Sequence, residues 1–216
     1  MDTYTYYNIH SHSPTKDNDV LTIQNLHEGF DMAGSGICSM GLHPWYLSEK
    51  ALLLPKLTNA ARQPNVLAIG ECGLDKVKGA PFEEQVDAFI AQVQLANRVN
   101  KPLIIHCVQA HEEVLEVFRL HRPQVPVIFH GFNRKASIAK RLTGEGYYLS
   151  FGAAILKNAT AMEVLAEVGS NQFFLETDDS TATIQDIYKK AAELRNTDME
   201  TLILQLGHNF NAVFGL

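Results

Sequence analysis

The segment Val66-Leu67-Ala68-Ile69-Gly70-Glu71-Cys72-Gly73-Leu74-Asp75 constrains this chain more than any other. Its apolar start shows no polar alternation, so it suits a parallel strand covered on both faces rather than a strand with one wet face. The run stops at a carboxylate, Glu71, which is followed and preceded closely by Gly73 and Gly70, positions where backbone or ligand can come near. A single strand-end Glu is commonly a solvated or capping residue. Here it has company, because other apolar runs of the chain also end in His or Asp.

Read in order, Tyr4 to Ile9 is a β-favouring stretch that leads into His10-Ser11-His12. Strand period two puts His10 and His12 on one face, within reach of one ion. Val20 to Leu26 alternates as a second strand, and Gly34 to Leu42 forms a third that runs into His43-Pro44. The intervals are too short for crossover helices, so the first connections are either extended crossovers or locally antiparallel. After Trp45 the rhythm is regular. A helix over Leu52 to Ala61 that starts late or kinks at Pro55 precedes the Glu71 strand. A stripe of Phe82, Val86, Phe89, Ile90, Val93 and Ala96 behind Pro81 marks the next helix, and a strand ending in His106 follows. Helix, strand ending at His130, helix, strand at Tyr147 to Phe151, helix, and a strand ending at Asp178 complete the alternation, with closing helices over Ile184 to Leu194 and Met199 to Leu206. Eight strands alternating with helices predict an α/β fold: a TIM-type (β/α)8 barrel, distorted, with its first two helices reduced or absent.

The 216 residues suffice for one such domain, 1–216, and its 46% hydrophobic and 19% charged residues are those of a globular chain. The start Met1-Asp2-Thr3-Tyr4 lacks the basic and apolar regions of a signal peptide, no apolar run can span a bilayer, and three cysteines cannot all pair. A cytoplasmic, membrane-free protein is expected. Net charge is −6 and the pI about 5.8, which excludes the broad basic field of a duplex-binding protein and leaves any nucleic-acid contact local.

In a barrel of this type the strand C-terminal ends converge on the working face. His10, His12, His43, Glu71, His106, His130 and Asp178 all fall there. Imidazoles mixed with carboxylates suit borderline divalent ions such as Zn, Mn or Ni, with Mg a poorer match. Two such ions about 3.5 to 4 Å apart could clamp the attacking and leaving oxygens of a displacement, and Glu71 is the candidate bridge. His27, His111, His121 and His208 fall on loops or helices and carry no assignment, while Asp75 and Glu176 read as loop or supporting groups.

The segments Asn8-Ile9-His10-Ser11-His12, Gly41-Leu42-His43-Pro44, Ile69 to Asp75, Pro102 to His106, His130-Gly131-Phe132, Leu175 to Asp178 and Asn211-Ala212-Val213-Phe214 resemble, in order, the motifs of the TatD-type metal-dependent deoxyribonucleases, within the amidohydrolase-like hydrolases. That resemblance implies a phosphodiesterase or deoxyribonuclease that uses a metal-activated water at a binuclear site. It implies that His10, His12, Glu71 and Asp178 hold one ion and Glu71, His106 and His130 the other, with Asp178 and Glu71 catalytic and His43 beside the substrate. DNA or a small phosphodiester is the implied substrate; the oligomeric state is left open, a monomer included.

The chain departs from the family pattern at four places. Asn8 replaces an acid, Val108 replaces an Arg expected two residues after His106, Asn133-Arg134-Lys135 replaces Thr-Gly-Ser, and Asp179 stands where a Pro is usual. Arg134 and Lys135 could meet a substrate phosphate in compensation. Two other readings remain at this level: C–N or ester hydrolysis as in related amidohydrolases, and a non-catalytic metal-binding module.

Overall fold

A computed structural model of the chain describes residues 6–14, 17–30 and 36–215. The strands are β1 (Tyr6–Ser11), β2 (Val20–Leu26), β3 (Cys38–Met40), β4 (Val66–Asp75), β5 (Leu103–Val108), β6 (Val127–Phe129), β7 (Tyr148–Phe151) and β8 (Phe173–Leu175). The helices are α1 (Lys50–Ala60), α2 (Phe82–Val99), α3 (His111–His121), α4 (Ala136–Gly144), α5 (Ala159–Glu167), α6 (Ile184–Leu194) and α7 (Met199–Phe214). The strands form one sheet in chain order, which with the alternating helices is the TIM-type (β/α)8 fold. Among the described residues no α-helix stands between β1 and β2 or between β2 and β3. The start of the first predicted strand, Tyr4 and Thr5, and that of the third, Gly34 and Ser35, lie outside the described residues.

The chain packs as two compact units, one running to Gln24 and resuming at Phe129, the other spanning Asn25–Ile128. In the first, β1 pairs in parallel with the start of β2, Tyr6 opposite Val20, so the first connection is an extended crossover rather than a hairpin. β7 pairs in parallel with β8, and an isolated parallel bridge joins Ser11 to Asp178. Tyr188 of α6 is fully buried; its hydroxyl accepts from Tyr7 N at 3.0 Å and donates to Tyr7 O at 3.2 Å, fastening α6 to β1. Asn209 of α7 donates to the carbonyls of Ser170 and Phe173, fastening α7 to the entry of β8.

In the second unit β3, β4 and β5 pair in parallel, and all ten residues of β4 are buried, as the unbroken apolar run requires. The cradle of β4 depends on its glycines: a Cβ at Gly70 would stand 2.5 Å from Ile104 O, and one at Gly73 would stand 2.0 Å from His106 O. It is therefore β5 backbone, not ligand, that exploits these two positions. α2 buries Phe89, Val93 and Ala96 as its stripe predicts, and the same face carries two buried glutamines seven residues apart. Gln92 exchanges hydrogen bonds with both backbone groups of Leu42, at 2.7 and 3.1 Å, and Gln85 does the same with Asp75, at 2.8 and 3.0 Å. Each amide satisfies a strand end that would otherwise bury unpaired backbone. Thus α2 fixes where β3 gives way to His43 and where β4 ends. α1 begins at Lys50 and runs through Pro55, so the late start expected at that proline does not occur. Among the described residues no helix is long and apolar enough to cross a membrane.

Candidate metal centre

Side chains able to hold a metal gather on the strands and just beyond them in both units. In the second unit, His43, Glu71 and His106 bring ligand atoms within 4.8 Å of one another, all three residues buried. Glu71 Oε1 lies 2.6 Å from His106 Nδ1 and 3.1 Å from His43 Nε2. The other faces of these rings fix their roles. The backbone N–H of Trp45 donates to His43 Nδ1 at 3.1 Å, so the His43 proton sits on Nε2 and is donated to Glu71. With that proton in place His43 supports the carboxylate and does not coordinate, consistent with a position beside the reacting groups. His106 Nε2 faces Asp75 Oδ2 at 3.1 Å. A carboxylate behind one imidazole nitrogen with the other left for an ion is the usual support of a metal-bound His.

Asp75 has more duties than its place after Leu74 suggests. Its Oδ2 also accepts the Trp45 indole N–H at 2.7 Å, and its Oδ1 accepts the backbone N–H groups of Val77 and Lys78. Burial alone would push its carboxyl up; the hydrogen bonds from Trp45, Val77, His106 and Lys78 outweigh this and hold it below the usual Asp value. Gly41 lets the segment after β3 lie close against the β4 backbone, since a Cβ there would stand 2.6 Å from Glu71 O. Glu71 N donates to Asn25 Oδ1 at 2.7 Å, a bond that sets the backbone just where the carboxylate leaves it.

In the first unit two further groups form, His10 with His12 and Asp178, and His130 with Glu176 and Asp178. Asp178 Oδ1 lies 3.3 Å from His12 Nε2 and 3.7 Å from His10 Nε2. The His10 ring centre is 5.2 Å from that of His12 and 4.4 Å from that of His130. Asp178 has a left-handed backbone, φ 53°, a conformation Asp tolerates better than most residues. It is locked by Asp178 N donating to His10 O and His12 N donating to Asp178 O, at 3.0 and 3.2 Å. The alternation of β1 thereby presents two imidazoles to the acid that follows β8. Glu176 is fully buried; its Oε1 accepts from Gly131 N at 2.7 Å and lies 3.3 Å from His130 Nδ1. Its Oε2 is buried with no hydrogen-bond partner among the described residues. A buried carboxylate oxygen left open beside an imidazole is costly without a cation, and the donor set of His nitrogens and carboxylate oxygens fits a borderline divalent metal.

Residues 14–215 match the TatD-related DNase family. The chain belongs to that family. It is 28% identical over 199 residues to the 3′-5′ ssDNA/RNA exonuclease TatD of Erwinia amylovora, an alignment covering 82% of this chain and 77% of the relative. Against the protein of the same name in Escherichia coli K12 it is 28% identical over 162 residues, 72% of this chain but only 62% of the relative. The fold superposes on that of YjjV, a TatD homologue from E. coli, with a TM-score of 0.86 over 98% of each chain at 23% identity.

The sequence-assigned residues group within their own units: His10, His12, His130 and Asp178 in one, His43, Glu71 and His106 in the other. Two strands run further than expected, because β4 continues past Glu71 to Asp75 and β5 past His106 to Val108, so these two residues lie inside their strands rather than ending them. Arg134 and Lys135 immediately precede α4, Arg134 half-buried and Lys135 exposed as its N-cap. Val108, opposite Asp75 in the β4–β5 ladder, supplies no charge at the end of β5. Asp75 and Glu176, read from the sequence as loop or supporting groups, each contact a predicted ligand, His106 and His130 respectively. The signal for Glu176 was available: Glu176-x-Asp178 repeats the two-residue spacing of His10-x-His12. Asn25, Gln85 and Gln92 gave no such signal, because a polar residue inside an amphipathic element looks the same whether it bonds water or backbone.

Proposed function

We propose that this chain is a divalent-metal-dependent phosphodiesterase that acts on single-stranded nucleic acid, with 1–216 serving as one cytoplasmic hydrolase domain. The observation that carries this reading is the buried relay Asp75–His106–Glu71–His43, set within a chain that matches a nuclease family over nearly all its length. Its metal ligands are His10, His12, Glu71, His106, His130 and Asp178, for two ions among which zinc or manganese best suits the imidazoles. When bound, such ions acidify water and offset the charge of a phosphate.

The protein groups do the rest. Asp75 holds the proton of His106 at Nε2, which leaves Nδ1 as the coordinating atom, and His43 steadies Glu71 through its Nε2–H. The Asp178 side chain is about one-third exposed, 35%, so its Oδ1 can take a proton from an entering water while its backbone stays fixed. Arg134 and Lys135 meet the substrate phosphate, and His43 lines its path.

Metal per chain, with turnover of bis-p-nitrophenyl phosphate and of single-stranded DNA, should be measured for wild type and Glu71→Ala. Bound metal with turnover lost in the variant is the expected result. Bound metal without turnover of any phosphoester by the wild type would overturn the proposal and favour C–N or ester hydrolysis or a non-catalytic role.

A further inference from the structure

Next to the buried relay, the second unit exposes an aromatic surface that metal binding does not use. Tyr46 is half exposed, at 50%, although it directly follows Trp45 and stands only three residues from His43. One side of its ring is stacked on His27, centres 4.8 Å apart and planes within 26°. It also lies 5.5 Å from the His43 ring, which itself donates to Glu71. The Lys78 ammonium sits 3.5 Å over the Trp45 ring, and Lys78 N is anchored on Asp75 Oδ1, the carboxylate that also takes the Trp45 indole. The turn carrying Lys78 is pinned in place: Ala80 N donates to Pro44 O, and a Cβ at Gly79 (φ +112°) would stand 2.5 Å from that same oxygen.

An exposed ring backed by another ring, with a fixed ammonium nearby, is a poor arrangement for solubility and a good one for a base. Every nucleobase has a π-face, and stacking of this kind tolerates sequence, whereas a basic patch alone would read only phosphates. The protein has a net charge of −6, so a strand must be held by local contacts of this sort.

We propose that Tyr46 is a stacking platform for an unpaired base of a nucleic-acid strand whose phosphate lies at the His43–Glu71 end of the site, with Lys78 meeting the adjoining phosphate. The inference rests on the nucleic-acid reading above and adds a base-recognising residue to it. It predicts a substrate preference for strands that carry bases over strands that do not, independent of which base is offered.

Trp45 is the only tryptophan of the chain, so its fluorescence comes from this region, and loading the metal beforehand keeps metal binding out of the signal. The metal-loaded protein is titrated with oligothymidylate roughly eight nucleotides long, within the range of single-strand site sizes, and with a base-free strand of equal length. Both carry cleavage-resistant phosphorothioate linkages, and turnover of the unmodified strands is measured in parallel. Wild type should quench and bind the thymidylate about tenfold more tightly than the base-free strand, the scale of one stacked base. Tyr46→Ala should reduce that ratio to about one, and Tyr46→Phe should restore it. Turnover of DNA by the wild type with a base preference that survives Tyr46→Ala overturns this inference alone. No binding or turnover of either strand by the wild type overturns it together with the function on which it rests.

Discussion

The two units hold the same kinds of ligand in opposite ways. His43, Glu71 and His106 are buried and bonded to one another at 2.6 to 3.1 Å, with Asp75 and Trp45 filling the positions behind them. His12 and Asp178 are about one-third exposed, and the contacts of Asp178 with His10 and His12 are longer, 3.3 to 3.7 Å. The first arrangement is preorganised by the protein, since His43 is hydrogen-bonded at both ring nitrogens and His106 is held from behind by Asp75. The second is ordered at its backbone and leaves its side chains room to adjust. A closed set holds its ligands in place before an ion arrives, whereas an open one can admit water beside its ligands.

The sharpest way to break the closed set is Gly73→Ala. The added methyl would stand 2.0 Å from His106 O at a φ of +142°, and neither neighbour can give way because both are sheet backbone. We expect loss of the folded state, more than about 3 kcal/mol, read as the absence of a cooperative thermal transition. Gly207→Ala is the control on the other side, where the nearest atoms belong to the Tyr7 ring at 3.2 to 3.3 Å. A ring edge can shift slightly, and Ala favours a helix over Gly by about 1 kcal/mol, so that variant should stay folded. Equal damage from the two substitutions would mean that the tight β4–β5 contact is not what sets the closed arrangement.

Asp75→Asn is the next largest. The amide cannot serve the Trp45 indole, the His106 ring and two backbone N–H groups as the carboxylate does, so metal affinity should fall by about 10- to 100-fold, measured by competition with a chelating dye. The same substitution carries a pH signature. Because the folded protein holds the Asp75 carboxyl below its ordinary value, the stabilisation is present above the unfolded-state value and is lost as the pH falls through the folded one. Wild type should therefore lose stability as the pH drops below about 4, and Asp75→Asn should start less stable at neutral pH and show a flatter acid limb. Parallel acid limbs would remove Asp75 from that role.

How far these regions could be read in advance follows the same division. Strand alternation and apolar runs announce themselves in a sequence, so the eight-strand order, the absence of early α-helices among the described residues and the position of the histidines on the strands were legible. Period two alone put His10 and His12 on one face. What escaped was whatever depends on a bond between distant segments. Asp75 reads as a loop or supporting group, but which groups it supports, His106 and Trp45, shows only where they converge on it. Gln85 and Gln92 look like ordinary helix polar residues until they are found clamping Asp75 and Leu42. The parallel sense of the β1–β2 pair was undecidable because an eight-residue connection between strands is short for a crossover and long for a hairpin.

The smallest effect probes the open set through Asn8, where the family resemblance leads one to expect an acid. Asn8 Oδ1 accepts from Thr177 N at 3.0 Å and Nδ2 donates to Thr177 Oγ1 at 2.8 Å, so the side chain ties β1 to the segment just before Asp178. In Asn8→Asp the first bond survives unchanged. The second also survives, because the Thr177 hydroxyl, which now accepts, can rotate and donate to the new oxygen. Both bonds become charge-assisted, and that gain opposes the cost of placing a carboxylate where the residue is only 4% exposed. Stability should thus change by less than about 1 kcal/mol. The new negative charge, two residues from His10 and one contact from the backbone of Asp178, should nonetheless draw a cation to the open set, raising Mn or Zn affinity by several-fold in calorimetric titration, more at low salt than at high. Unchanged or weakened affinity would show that the open set is governed by its backbone lock and not by the charge around it.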